Sequence, residues 1–173
     1  MSEFWDLLDE NARPTGEIHR RGIPLPAGRY HTIIGVWTVH RRLRRVLLTL
    51  RAPEKEVCPN TWENTGGSVL ASETSVDGAA REVREETGLP CTAADLTFIT
   101  RLRTCAQTFV DCYYHLTDAP AASITLQPGE TADYAWLTLE AIEARISDGS
   151  FTPPEVEQYD ACKKTLSQVL KNL

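Results

Sequence analysis

Three glutamates, Glu82, Glu85 and Glu86, fall together on one predicted helix. Their spacing of three and four residues places the carboxylates on one helix face. By themselves they disfavour that helix, because Glu82 and Glu86 are like charges one turn apart, a cost of about 0.2–0.5 kcal/mol, and the helix dipole disfavours anions near the C-terminus. A divalent cation would turn the repulsion into binding, since Mg²⁺ prefers oxygen ligands. A solvated acidic face is the alternative interpretation of the three glutamates taken alone.

The helix that carries these glutamates is bounded by local signals. Thr74 is followed three residues later by Asp77, which is typical of a capped helix start, and Gly88 stands just past the end, where a left-handed residue is needed. These signals predict a helix over Ser75–Thr87. An apolar stripe at a period of 3.6 residues is expected to pack this helix against a sheet; it comprises Val76, Ala79, Ala80, Val83 and Thr87.

A longer pattern connects the helix to residues upstream. The stretch runs Gly67, five residues, Glu73, seven residues, and then Arg81-Glu82-Val83-Arg84-Glu85-Glu86-Thr87-Gly88-Leu89. It resembles the Nudix box, G-x5-E-x7-R-E-U-x-E-E-x-G-U with U apolar, and meets every specified position. Because the pattern fixes about nine positions, it is a specific motif. By this resemblance the chain is identified as a member of the Nudix hydrolase family.

The resemblance implies a fold and a reaction. The fold class is α/β, a Nudix-type α/β/α sandwich with a mixed sheet, in which the box forms a loop, a helix and a loop. The reaction is hydrolysis of a diphosphate linkage in a nucleoside diphosphate derivative or a related organic diphosphate. The cofactor is Mg²⁺ or Mn²⁺, which neutralises charge and lowers the pKa of the attacking water.

Roles carry over to this chain position by position. The implied metal ligands are the carboxylates of Glu82, Glu85 and Glu86 and the backbone carbonyl of Gly66. The implied catalytic set is Glu73, Arg81, Glu82, Glu85 and Glu86, with Arg81 orienting the carboxylates and Glu73 as its partner. A glutamate takes the proton from water. Glu82, Glu85 and Glu130 are all candidates, and for Glu130 a solvated loop acid is the alternative.

Outside the box the chain is similar to the Nudix branch that includes isopentenyl-diphosphate isomerase. The similarity rests on Pro14-Thr15-Gly16, Tyr30-His31, Arg51-Ala52 with Lys55, and Trp62. In the isomerases the matching arginine and lysine grip the substrate diphosphate. Arg51 and Lys55 are therefore candidate substrate-binding residues, because arginine forms bidentate bonds to phosphate and lysine supplies a point charge. Exposed loop cations are the alternative.

Two other functions are weighed against hydrolysis. An isomerase-like activity is disfavoured, since the isomerase cysteine and histidine positions hold Gly66 and Ser68 and the strand Thr108–Cys112 has no glutamate. His31 matches one isomerase ligand position, but one histidine cannot build that metal site. A non-catalytic Nudix-fold binding module is the third hypothesis, although such modules usually lose box glutamates.

Strand-like segments outnumber helical ones, which predicts a mixed sheet flanked by helices. Residues 1–28 are predicted to form a hairpin extension and linker, with Pro14–Gly16 in its turn, and 29–173 the Nudix domain. The hairpin is a candidate homodimer contact, because two strands alone are marginal in water. The other predicted strands are Tyr30–Val39, Val46–Arg51, Trp62–Leu70 broken at Gly66-Gly67, Leu96–Arg103, Thr108–Leu116 and Ala132–Leu137, and the later helices are Leu139–Ile146 and Pro154–Leu170.

Composition narrows the class of partner. The 173 residues carry a net charge of −6 without a broad basic excess, so no nucleic-acid partner is expected. The family resemblance implies a small-molecule diphosphate or nucleotide as the substrate. Five scattered cysteines argue against a disulfide framework or a structural zinc site. Cys105 and Cys112 lie in strand-like stretches and are expected in the core. No apolar run suits a membrane span, no secretory signal is seen, and a cytoplasmic location is expected.

Overall fold

The computed structural model describes residues 3–173; Met1 and Ser2, which the sequence assigns to the hairpin extension, lie outside the described residues. The strands are β1 (Phe4–Leu8), β2 (Pro14–Arg20), β3 (His31–His40), β4 (Arg45–Arg51), β5 (Trp62–Glu63), β6 (Thr65–Ser68), β7 (Leu96–Arg103), β8 (Thr108–Thr117) and β9 (Thr131–Leu137). The helices are α1 (Ser75–Thr87), α2 (Leu139–Asp148) and α3 (Val156–Asn172).

The main sheet contains parallel and antiparallel strand pairs, and two of its strands, β3 and β4, diverge. β3 runs parallel to β8 along its whole length, whereas β7 on β8 and β9 on β4 are antiparallel. β3 and β4 pair only next to their connecting loop, at Val39–Val46 and His40–Arg45. Beyond those pairs the two strands separate, and β6 takes the free edge of β3 while β5 takes that of β4. The opening between them becomes the cavity described below.

Helices cover both faces of this sheet. Because successive side chains of a strand point to opposite faces, adjacent residues enter different cores. One core packs against α1 and the other against α2 and α3. The fold is therefore an α/β/α sandwich, as the sequence predicts. Three adjacent pairs show the alternation, with the first residue on the α1 side: Val36 and Trp37, Leu47 and Leu48, Tyr113 and Cys112.

Local differences from the sequence prediction occur at turns. Pro14–Gly16 begins β2 rather than closing the hairpin, and the turn comes earlier, where Asp9 N–H donates to Arg13 O at 2.9 Å. A proline is tolerated as the first residue of a strand. The segment predicted to break at Gly66-Gly67 breaks instead at Asn64, and both glycines pair with β3. Cys105 is exposed in the β7–β8 turn, not in the core, whereas Cys112 is buried.

The N-terminal hairpin forms its own two-stranded sheet and rests on the main body. Trp5 stacks on His31 with ring centroids 3.9 Å apart. Ala71 N–H donates to Phe4 O at 2.8 Å, and Ser72 N–H donates to the Asp6 carboxylate at 2.7 Å. The hairpin therefore contacts the loop that leads into α1. No helix within residues 3–173 combines the length and the apolar character that a membrane crossing needs.

Candidate active site

Helix α1 presents the box glutamates because local signals fix both of its ends. The Thr74 hydroxyl accepts a hydrogen bond from Asp77 N–H at 3.3 Å. Gly88 has φ 68° and donates its N–H to Arg84 O at 3.0 Å, a left-handed end that favours glycine. Ala79, Ala80 and Val83 are buried against the sheet. This packing turns the glutamate-bearing face toward the opening between β3 and β4.

Arg81 forms hydrogen bonds to several residues of the motif. Its guanidinium donates to both oxygens of Glu73 at 3.0 Å, a bidentate pair, and to the Ser68 carbonyl at 3.0 Å. Its Nη1 donates to Glu82 at 2.8 Å and to Glu85 at 3.1 Å. The structure thus brings Arg81 and Glu73 together, and the planar fork holds two of the three box carboxylates in fixed positions.

Glu82 lies against β6 at a point where only glycine leaves room. A Cβ placed on Gly67 would come within 2.0 Å of Glu82 Oε1. Burial raises the pKa of Glu82 to about 7, while its bonds to Arg81 oppose the shift. The glycine in the motif therefore admits a carboxylate into the wall of the cavity.

Glu86 is the least compensated of the box carboxylates. Only 7% of the residue is exposed, and its Oε2 has no hydrogen-bond partner among residues 3–173. Burial, together with the charges of Glu63, Glu82 and Glu130, raises the pKa of Glu86 well above its ordinary value. A buried carboxylate without a counter-charge is unstable unless a proton or a cation joins it.

The backbone of Gly66, on β6, also faces Glu86. Val69 N–H donates to Thr32 O at 3.0 Å, and in an antiparallel pair alternate residues bond the neighbouring strand. Gly66 and Ser68 therefore face away from β3, and the Ser68 carbonyl accordingly bonds Arg81. The Gly66 backbone faces the Glu86 carboxylate, where it lowers the pKa of that group against the larger effect of burial.

Arg51 and Lys55 lie across the cavity from α1, each in an ion pair. Arg51 donates to Glu63 at 2.7 and 3.0 Å and to the Val57 carbonyl at 3.0 Å. Lys55 bonds the Glu130 carboxylate. These two predicted substrate-binding cations thus line the cavity and are partly buried. Glu130, the third candidate base, is held there by Lys55.

The cavity between these groups has a volume of about 320 Å³ and an acidic lining. Among residues 3–173, seven carboxylates and four cationic side chains line it. The carboxylates are those of Glu3, Glu63, Glu82, Glu85, Glu86, Glu130 and Glu155, and the cations are Arg21, Arg51, Lys55 and Arg81. His31, the isomerase-like position, is not part of this lining and is buried against Trp5.

These residues fit a hard divalent cation. The available donors are carboxylate and carbonyl oxygens, which suit Mg²⁺ or Mn²⁺. Among residues 3–173 Glu86 Oε2 has no partner, and burial raises the pKa of Glu82; a bound cation would compensate both. Within residues 3–173 no three acidic, His or Cys side chains already stand in a metal-binding arrangement, and Glu82 and Glu85 each turn an oxygen to Arg81. Glu86 is free of that bond.

Sequence reasoning missed several cavity residues outside the box, among them Glu63, Glu155 and Gln158. Glu63 ends β5, while Glu155 and Gln158 come from the turn before α3 and from its first turn. None belongs to a recognisable motif. The spacing of three between Glu155 and Gln158 is the one local signal, since it places both side chains on the same helix face.

Comparison with known proteins identifies the family. The NUDIX domain model matches residues 29–156. An uncharacterized Nudix hydrolase of Listeria monocytogenes is 36% identical over 156 residues, which cover 87% of this chain and 89% of the relative. The chain belongs to the Nudix hydrolase family.

Solved structures share the fold at lower identity. The crystal structure of DR0079 from Deinococcus radiodurans superposes with a TM-score of 0.73 at 23% identity, over 90% of this chain and 96% of that one. A bifunctional NMN adenylyltransferase/ADP ribose pyrophosphatase of Francisella tularensis, solved with AMP and a Mn ion, gives a TM-score of 0.63 at 15% identity, over 83% and 43% of the two chains. The isomerase-like branch is not confirmed by these matches.

Proposed function

We propose that this Nudix hydrolase cleaves the diphosphate linkage of a nucleoside diphosphate derivative or a related organic diphosphate, by attack of water at phosphorus. The observation that carries the proposal is the buried Glu86 carboxylate, whose Oε2 has no hydrogen-bond partner among residues 3–173 and which lies near further carboxylates. A cation bound there neutralises the diphosphate and lowers the pKa of the attacking water. Glu82, Glu85, Glu86 and the Gly66 carbonyl would hold Mg²⁺ or Mn²⁺.

The chain's own residues supply orientation, anion binding and a proton acceptor. Arg81, fixed by Glu73, positions Glu82 and Glu85. Arg51 and Lys55 bind diphosphate oxygens, and the substrate competes with Glu130 for the Lys55 ammonium. A carboxylate accepts the proton of the attacking water. Glu82, Glu85 and Glu130 all line the cavity, and each is a candidate for that role.

The size of the cavity supports this substrate class. A volume of about 320 Å³ with an open mouth admits a diphosphate and part of its substituent. The Francisella tularensis protein that shares the fold was solved with AMP and a Mn ion, which supports a nucleotide-like substrate and a divalent metal here.

The test is a panel of diphosphate compounds assayed with Mg²⁺ and with Mn²⁺, with the products identified. Nucleoside diphosphates and triphosphates, nucleotide sugars, dinucleoside polyphosphates and prenyl diphosphates belong in the panel. Metal-dependent hydrolysis that is lost in Glu86→Gln supports the proposal. Binding without turnover would support a binding module, and conversion of isopentenyl diphosphate to dimethylallyl diphosphate would support the isomerase instead.

A further inference from the structure

The N-terminal hairpin contributes a cation to the mouth of the cavity. Arg21, which follows β2, lines the cavity together with Glu3, the residue before β1. These two residues close the open end of the hairpin, since Arg21 N–H donates to Glu3 O at 3.0 Å and the guanidinium donates to the Glu3 carboxylate at 2.6 Å. Ala71 N–H donates to Phe4 O at 2.8 Å, which fixes this end of the hairpin beside Leu70, another lining residue.

Arg21 is less committed to protein groups than the other arginines of the cavity. Its side chain is 57% exposed, and within residues 3–173 the Glu3 carboxylate is its one hydrogen-bond partner. Arg81 instead bonds three carboxylates and a carbonyl, and Arg51 bonds both oxygens of Glu63 and a carbonyl. A guanidinium has five N–H donors, and an exposed ion pair contributes little to stability. An anionic ligand can therefore displace Glu3 from Arg21 or share the guanidinium with it.

The hairpin and the wall that carries Arg51 and Lys55 lie on different sides of the box carboxylates. Besides burial, carboxylates that include Glu3 raise the pKa of Glu82. For the pKa of Glu86 the corresponding carboxylates include the two that pair with Arg51 and Lys55. The proposed metal ligands therefore lie between the hairpin and the proposed diphosphate-binding cations, and a substrate that reaches across the metal ligands meets the hairpin with its other end.

We propose that Arg21 binds an anionic group on the substituent of the substrate, remote from the diphosphate that is cleaved. A carboxylate and a further phosphate both meet this requirement, because a guanidinium forms paired hydrogen bonds to either. The inference rests on the proposed function, since it assigns the diphosphate to Arg51 and Lys55 and the other end of the molecule to Arg21. Arg21 is then a specificity-determining residue. An ion pair that only closes the hairpin is the competing explanation.

The experiment compares diphosphates that differ in one anionic group of the substituent. UDP-glucuronate and UDP-glucose form the carboxylate pair, and NADP⁺ and NAD⁺ form the phosphate pair. With Mg²⁺ present, kcat and KM are measured for each compound that is hydrolysed, and Kd is measured by isothermal titration calorimetry for each that is not. The two pairs distinguish a carboxylate from a phosphate as the group that Arg21 binds.

We expect the wild type to prefer the anionic member of at least one pair by about tenfold, through KM or Kd and not through kcat. Arg21→Gln should lose this preference, and Arg21→Lys should keep part of it, because lysine restores the charge without the paired donors. Arg20→Gln is the matched control and should keep the whole preference, since Arg20 is exposed on β2 outside the cavity lining and its loss changes the net charge equally. Melting curves check that each variant is folded.

Three results would overturn the assignment of Arg21: no preference within either pair in the wild type, a preference that Arg21→Gln retains in full, or an equal loss in Arg20→Gln, which would assign the preference to net charge. The fate of the proposed function is measured separately. If no diphosphate is hydrolysed but calorimetry shows a preference that Arg21→Gln loses, the anion subsite stands and the hydrolase is defeated. Hydrolysis of both members of each pair with equal kcat/KM would keep the hydrolase and defeat the subsite.

Discussion

Glu86 carries a carboxylate that the protein's own groups do not neutralise. Its Oε2 is buried without a partner, and carboxylates surround it. An arrangement that is unfavourable for the fold and retained in a cavity is typical of a functional group. Replacing Glu86 by glutamine should therefore lower activity without lowering the stability of the metal-free protein.

We expect Glu86→Gln and Glu82→Gln each to lower turnover at least about a hundredfold while the fold survives. Metal-free Glu86→Gln should melt no lower than the wild type, because an amide at this position removes a buried charge. Steady-state rates with Mg²⁺ and thermal melts in chelator measure both effects. Glu140→Gln, exposed on α2, is the control. Near-normal rates in both site variants would contradict the assignment.

Gly67 gives a second prediction at the scale of single residues. Gly67→Ala would drive a Cβ into Glu82 Oε1, 2.0 Å away, and so displace a proposed ligand. We expect turnover to fall at least about tenfold, since displacement of a reacting group by about 1 Å is costly.

The exposed Glu140→Gln is again the control, and its turnover should stay within about threefold of the wild type, well short of the effect of a displaced catalytic group. Turnover of Gly67→Ala equal to that of the control would show that the steric argument for Glu82 is wrong.

The N-terminal hairpin is attached to the body through an aromatic stack that is sensitive to acid. His31, 7% exposed, stacks on Trp5, and its Nδ1 has no hydrogen-bond partner in the described part of the chain. Burial lowers the pKa of His31 from 6.5 to about 4, against a raising effect of Thr32. The folded state thus favours neutral histidine. Its contribution to stability is present above pH 6.5 and is lost as the pH falls through 4.

We expect His31→Phe, which keeps the stack and cannot take up a proton, to lose less stability than the wild type between pH 7 and pH 4. The difference should approach about 3 kcal/mol, the value of a pKa shift from 6.5 to about 4. Urea unfolding at a series of pH values measures it. Parallel curves for the two proteins would show that His31 is already solvated.

Elements fixed by local signals could be predicted from the sequence, and features fixed by contacts between distant segments could not. α1 spans the predicted residues because its caps and its apolar stripe are all within one segment. The break at Asn64 arises because β5 pairs with β4 and β6 pairs with β3, and these two strands separate. Glu155 reaches the cavity wall only because of where α3 packs. Neither has a local pattern. The same distinction explains why the box residues were identified and Glu63 was not.

At the scale of the whole molecule, the separation of β3 and β4 creates a cleft that is lined by charged side chains. β3 and β4 separate after two residue pairs, and the helix, the strands β5 and β6 and the turn before α3 all contribute side chains to the opening. Seven carboxylates against four cations, among residues 3–173, leave the cavity negative. A cation that binds there should stabilise the fold by mass action, because the unfolded chain does not hold these groups together.

We therefore expect Mg²⁺ or Mn²⁺ to raise the melting temperature of the wild type. At a metal concentration about 100 times the Kd the gain is about 2.7 kcal/mol, or roughly 5–10 °C for a chain of this size. Glu86→Gln should show a clearly smaller shift, whereas Glu140→Gln should match the wild type. Chelator should reverse the shift and stop hydrolysis together, while far-UV circular dichroism stays unchanged. If the three proteins gained the same few degrees, the ion would be stabilising some other surface, and the negative cavity would have to be explained without a metal.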